Sequence, residues 1–189
     1  MKISIITVCY NSASTIRDTL ESVLSQTYED IEYIVIDGAS KDSTLAIISE
    51  YEGRISTVLS EPDKGIYDAM NKGIRCATGD YVGILNSDDV FSSTSTIEEL
   101  VKFLQANPAC DASYANLVFV ERDNTEVVTR KYSSSGFSAW KIRFGFMIPH
   151  PTFYARRSLF EQFGYYKLGY RVSADFELMT RFISQGIKL

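Results

Sequence analysis

Four short apolar runs rich in β-branched residues, at positions 3–8, 31–36, 55–59 and 81–85, alternate with segments whose apolar residues recur at helical spacing. Strands of roughly six residues separated by helices of roughly ten need crossover connections. Right-handed crossovers build a mostly parallel sheet with helices on both faces. Ile16, Leu20, Val23 and Leu24 mark a first helix that ends near Gln26. Leu45, Ile48 and Tyr51 mark a second, capped by Asp42 or Ser43, and Met70 and Ile74 a third over 66–77 with Gly79 as its stop. In sheets of this kind, ligands bind beyond the carboxyl ends of the strands. The chain puts Tyr10-Asn11, Asp37, Glu61 to Lys64 and Asp88-Asp89 at four successive strand ends, which predicts one shared site.

The second half has a different rhythm. A helix over 97–105 is stopped by Asn107-Pro108, and strands over 112–121 and 125–132 are joined through Arg122-Asp123-Asn124. A loop from Ser133 to Gly136 leads into an aromatic segment running from Phe137 through Trp140 to Phe146. Phe137, Trp140, Phe144 and Phe146 form either the core of this half or a patch that meets a membrane, a second subunit or a ligand ring. After Pro149-His150-Pro151 come a strand over 152–155 and helices over 157–163 and 174–185. A chain of 189 residues organised in this way is one α/β domain, with a binding half at 1–90 and a second half at 91–189.

A net charge of −5 with interspersed signs argues against nucleic acid as a partner. No apolar run approaches the roughly 18 residues of a membrane span. Residues 1–9 lack a basic region and a cleavage site, so they read as a strand and not as a signal peptide. Cys9, Cys76 and Cys110 have no metal-knuckle or disulfide spacing, which fits a reducing cytoplasm. The pattern stops soon after its last helix without a closing element, as expected of a core whose C-terminal part is missing.

The run Ile84-Leu85-Asn86-Ser87-Asp88-Asp89 carries most of the chemistry. Adjacent carboxylates repel one another and resist desolvation, and a hard divalent cation such as Mg2+ or Mn2+ would relieve both costs and could grip a diphosphate. The alternative is an acidic turn followed by a helix cap.

Taken together, the motifs resemble those of the family 2 glycosyltransferases of GT-A fold. The resemblance rests on Ile5-Ile6-Thr7-Val8-Cys9-Tyr10-Asn11, Ser25-Gln26-Thr27 and the run from Ile36 to Thr44. It continues through Glu61 to Gly73, Asn86-Ser87-Asp88-Asp89 and Ser173-Ala174-Asp175-Phe176-Glu177-Leu178. It implies a nucleotide-diphospho-sugar transferase fold with a donor half (1–90) and an acceptor-side half (91–189). The activity implied is inverting transfer from a UDP- or GDP-linked sugar to a glycan or lipid-linked hydroxyl, in cell-surface polysaccharide synthesis. That would place the protein in the cytoplasm, at the inner face of the membrane.

The resemblance implies these roles. Val8, Tyr10 and Asp37 hold the donor base, although without the resemblance Asp37 reads as a turn acceptor and Tyr10 as a core-edge tyrosine. Asn86 and Asp88 contact the donor, and Asp89 is the first choice for the metal, with Asp88 beside it. Lys64 neutralises a phosphate at a helix N-terminus, whereas Lys72 reads as solvated surface. Asp175 is the general base, or else a helix-start acid. His150, the only histidine, stands beside the acceptor or the metal, or is structural. Asp68 and Asn71 hold the loop equally well. Glu177 and Arg181 read as a surface pair, with Arg181 able to reach a phosphate. Two positions depart from the family pattern. Gly38 sits where many members carry a second acid, so Asp37 reads the base alone or the base is held otherwise. Asn86 sits where the acidic motif often begins with Asp. A sugar nucleotidyltransferase would want a Gly-rich, Arg-containing loop after the first strand, where this chain has Tyr10-Asn11-Ser12. A non-catalytic nucleotide or glycan module is the other alternative.

Overall fold

The computed structural model describes residues 1–121, 124–170 and 172–189, with the backbone alone at Glu126. Strands β1 (Ile3–Cys9), β2 (Ile31–Asp37), β3 (Thr57–Ser60) and β4 (Tyr81–Ile84) alternate with helices α1 (Ile16–Leu24), α2 (Thr44–Ser49) and α3 (Ile66–Cys76). Then follow α4 (Thr96–Ala106), β5 (Ala112–Ser113), β6 (Leu117–Glu121), β7 (Asn124–Tyr132), β8 (Tyr154–Arg156), α5 (Arg157–Phe163) and α6 (Ala174–Ser184). The main sheet runs β3-β2-β1-β4-β8-β5, and β6 pairs with β7 in a separate ribbon. The first four strands are mutually parallel, whereas β8 is antiparallel to both β4 and β5.

Every residue of β1 is buried, because helices cover both faces of the sheet. Its side chains divide by strand period. Ile6 and Val8 meet Met70, Ile74, Leu178 and Phe182 on the α3/α6 face. Ile3, Ile5 and Cys9 meet Ile16, Leu20, Val23 and Ile97 on the α1/α4 face.

The structure departs from the sequence reading in several places. The 112–121 strand divides between the main sheet and the ribbon, and the strand expected at 152–155 becomes a 3-10 turn at His150–Thr152 followed by β8. In α2 it is Thr44 and Ile48 that are buried, while Leu45 is exposed. The expected turn residues Arg122 and Asp123 lie outside the described residues. Gly79 does not stop α3. The helix closes at Ala77 in extended backbone, and Gly79 instead allows close approach to β1, since a Cβ there would lie 2.6 Å from Ser4 Oγ and 2.8 Å from its nitrogen.

That approach is held by Glu32, a buried acid in β2. Its carboxylate accepts from Ser4 Oγ at 2.6 Å, Thr78 N–H at 2.7 Å, Thr78 Oγ1 at 2.6 Å and Lys2 Nζ at 3.0 Å. Gly79 N–H donates in turn to Ser4 Oγ at 2.9 Å. Burial opposes ionisation, but the donors on Ser4, Thr78 and Lys2 prevail and lower the Glu32 pKa from 4.5 to about 2. A depressed folded-state pKa contributes stability that is present above the unfolded value and is lost as pH falls through the folded one. We therefore expect Glu32→Gln to cost ~1–3 kcal/mol at neutral pH. Denaturant unfolding from pH 7 to 2 should show the wild-type advantage vanish between pH 4.5 and about 2. A gap that is independent of pH would refute this assignment.

Candidate functional site

A cavity of about 870 Å³ opens where β1 and β4 end, bordered among others by Val8, Tyr10, Asp63, Asn86 and Asp88. Its volume suits a ligand of nucleotide-sugar size. Tyr10 is exposed on this wall. Asn11 follows it with a φ of 50°, a left-handed turn that asparagine tolerates. Side chains tie the surrounding loops together. Ser12 Oγ lies 2.8 Å from Ser87 Oγ, Asn11 N–H donates to Ser40 Oγ at 2.8 Å, and Asn11 Oδ1 accepts from Lys41 N–H at 2.8 Å.

Asp37 lies beneath the cavity, fully buried. Ser40 N–H donates to it at 3.0 Å and Ser60 Oγ at 2.6 Å, and the Ser40 hydroxyl also bonds it. The Cys9 thiol points at Oδ1 from 3.7 Å, and burial followed by the Asp37 charge raises the Cys9 pKa out of reach of ionisation. Both Asp37 oxygens are occupied in a turn-holding arrangement. Asp63, by contrast, borders the cavity.

The acid pair divides. Asp88 is exposed on the cavity wall. Asp89 sits half-buried behind it, with Oδ2 accepting from Asn86 Nδ2 at 3.2 Å and its carbonyl accepting from Thr19 Oγ1 at 2.9 Å. Burial first, and Asp88 second, raise the Asp89 pKa. Asn86 Oδ1 is buried without a hydrogen-bond partner among the described residues. No cluster of three or more His, Cys, Asp or Glu spaced for a metal occurs among those residues. Exposed Asp88, with the unpartnered Asn86 Oδ1 near it in the chain, supplies the hard oxygen donors that suit a Mg2+- or Mn2+-type ion, which one or two carboxylates hold while phosphate and water would complete its shell.

Lys64 is exposed beside this wall, and its backbone N–H donates to Asp68 Oδ2 at 3.0 Å. Asp68 therefore holds the loop. Lys72 is not solvated surface, because its Nζ pairs with Glu61 at 2.8 Å and donates to the Pro62 carbonyl at 2.8 Å.

Asp175 opens α6 away from the cavity lining. Tyr67 Oη donates to its Oδ1 at 3.3 Å. Tyr67 stacks on Tyr166, with ring centroids 5.6 Å apart, and the Tyr166 hydroxyl meets His150 Nε2 at 2.8 Å. Burial lowers the His150 pKa against the pull of Asp175, which favours neutral imidazole. Asn71 clamps Tyr166 through two backbone bonds of 2.8 and 2.9 Å, so it too is a loop holder. Trp140, Phe144 and Phe146 are exposed, whereas Phe137 packs against the core and edge-on to Tyr114.

Arg181 corrects the surface-pair reading. It grips Glu177 through Nε at 3.0 Å and Nη2 at 2.9 Å, and it donates to the carbonyls of Phe163, Gly164 and Tyr165. All five N–H groups are engaged, so none remains for a phosphate. The pattern Glu177/Arg181 revealed the pair, but nothing in the sequence revealed the carbonyls. Arg181→Ala would leave those carbonyls and Glu177 short of donors. We expect a loss of ~2–4 kcal/mol in denaturant unfolding, and a loss under about 0.5 kcal/mol would show a solvated pair instead.

Comparison with known proteins relates this chain to sugar transferases. Residues 4–163 match the family described as glycosyl transferase family 2. A glycosyltransferase of PGL/p-HBAD biosynthesis from Mycobacterium tuberculosis is 30% identical over 184 residues, spanning 96% of this chain and 69% of its own length. An Escherichia coli UDP-Glc:alpha-D-GlcNAc-diphosphoundecaprenol beta-1,3-glucosyltransferase is 32% identical over 189 residues, spanning 98% of this chain and 72% of its own. Among solved structures, S. aureus TarS with UDP-GlcNAc superposes with a TM-score of 0.82 at 21% identity, covering 97% of this chain and 53% of that one. A Pyrobaculum calidifontis mannosyltransferase with GDP-Man and Mn2+ gives 0.74 at 22%, covering 99% and 53%. The fold is therefore shared with GT-A glycosyltransferases, and the chain spans about half the length of these solved chains.

Proposed function

Because the chain belongs to glycosyl transferase family 2, we propose that it transfers a sugar, with inversion, from a nucleotide-sugar donor to a hydroxyl of a glycan or lipid-linked acceptor. The observation that carries this reading is the cavity at the carboxyl ends of β1 and β4, where an exposed tyrosine and an exposed carboxylate face the same space. Tyr10 offers a ring face to a base. Val8 forms the floor, and Asp88, with Asn86 and Asp89 behind it, would hold Mn2+ or Mg2+ against the diphosphate. Bound there, the ion would supply Lewis-acid stabilisation of the leaving phosphate. Lys64 and the start of α3 add positive potential beside the same group.

Asp175 acts as the base. An acceptor hydroxyl is a weak nucleophile until its proton leaves in the transition state. Tyr67 donates to Oδ1, so Oδ2 is the oxygen available to take that proton. His150 is held by Tyr166 as a neutral group next to Asp175, where it could border the acceptor. The name of the Escherichia coli relative specifies a diphosphoundecaprenol-linked acceptor, and a lipid-linked acceptor for this chain would bring it to the inner membrane face. Among the described residues no helix is long and apolar enough to cross a membrane; exposed Trp140, Phe144 and Phe146 are the apolar surface we assign to membrane contact.

Asp175→Asn should reduce turnover by at least about 100-fold, read as nucleoside diphosphate released from a panel of activated sugars. Calorimetry with UDP or GDP and Mn2+ should give unchanged affinity. Lost nucleotide binding in that variant would remove Asp175 from the base role and assign it to the donor.

A further inference from the structure

The geometry points to Asp63 as the residue that reads the donor base, its carboxylate standing in the space that Gly38 leaves open and its Oδ2, which has no hydrogen bond among the described residues, matching the single imide N–H of uracil. This rests on the donor reading above and names the nucleotide class.

Three observations meet at this point. A Cβ on residue 38 would overlap Asp63 Oδ2, and would lie 3.4 Å from both Asp63 Cγ and Tyr10 Cδ2. Any side chain at 38 therefore displaces the Asp63 carboxylate, and the missing acid after Asp37 is replaced in space by one 25 residues later in the chain, the difference between 63 and 38. Second, both Asp37 oxygens already accept hydrogen bonds away from solvent. Asp37 is fully buried and receives Ser40 twice, Ser60 and the Cys9 thiol. Third, Asp63 is only half-buried, borders the cavity together with Tyr10, and has no ion pair among the described residues.

The two carboxylate oxygens differ in what they can do. Oδ1 accepts Gly65 N–H at 2.8 Å, which fixes the side chain at the start of α3. Oδ2 is the atom nearest the Gly38 gap, which Tyr10 Cδ2 also borders. Uracil presents one N–H, at N3, between two carbonyls, and one oxygen satisfies it. Guanine presents adjacent N1–H and N2–H groups, which call for both oxygens of a carboxylate. With Oδ1 anchored on the Gly65 N–H and Oδ2 the oxygen that stands in the Gly38 gap, the site presents one oxygen in that gap, which suits the single uracil donor better than the paired donors of guanine and favours UDP over GDP.

The test is calorimetry with Mn2+ and three probes: UDP, GDP and UDP methylated at N3 of uracil. The wild-type chain should bind UDP about 10- to 100-fold more tightly than the N3-methyl analogue, the worth of one hydrogen bond to a charged acceptor. It should also prefer UDP to GDP. In Asp63→Ala the ratio between UDP and its methyl analogue should fall to about one. Loss of the Gly65 contact would weaken both probes equally, so a purely structural role leaves the ratio unchanged and overturns the assignment. Gly38→Ala is the second arm. It keeps the Asp63 carboxyl but crowds it out of the gap, and it should collapse the same ratio. Stronger binding of GDP than UDP by the wild type overturns the base choice. Failure of the wild type to bind either nucleotide overturns the donor reading itself, which separates the two ideas.

Discussion

Parallel pairing of β1 with β2 on one side and β4 on the other is the constraint from which the site follows. The registers Cys9↔Asp37, Asp37↔Ser60 and Ile6↔Ile84 bring the carboxyl ends of the first four strands to one edge. The carbonyls and side chains at that edge have no further strand to pair with. Serine, asparagine and aspartate side chains therefore accept from the loop backbone, as Ser40, Asn11 and Asp42 do. What faces the cavity from that edge is what can meet a ligand: Tyr10, Asp63 and Asp88.

The second half is fastened to this frame by polar groups as much as by apolar packing. Asn71 binds the Tyr166 backbone to α3, and Arg181 binds the loop after α5 to α6. The two clamps share one segment, 163–166. Through them α6 takes a fixed position against α3, and Asp175 comes within reach of Tyr67. A buried network of this kind contributes specificity of arrangement only when every member is satisfied, and Arg181 meets that condition in full.

How much of this the sequence discloses depends on the range of the interaction. The strand–helix rhythm of residues 1–90 was legible because buried parallel strands read as unbroken apolar runs. Strands were also legible over 112–121 and 152–155, but the break that sends Ala112–Ser113 to the main sheet and the start of β8 at Tyr154 were not, since pieces that short carry no period and are set by partners about forty to seventy-five residues away. The acid pair was legible as a pair. Which member faces the cavity was not, because that choice is made by Thr19 and Asn86 packing on Asp89. Lys72 and Arg181 read as surface charges because their partners, the Pro62 and Phe163–Tyr165 carbonyls, are backbone groups with no sequence signature. Gly38 was legible as a departure, but the acid that fills its space lies across a loop from β3.

The central claim is that the edge created by β1 and β4 receives a nucleoside diphosphate through the exposed acid of the pair. Crystals grown with Mn2+ and UDP, with data collected at the manganese edge, address it directly. The account predicts an anomalous peak about 2.0–2.2 Å from an Asp88 oxygen, with diphosphate oxygens completing its shell and the base against Tyr10. A nucleotide seated elsewhere, with Asp88 turned to solvent and no metal beside it, would contradict the account.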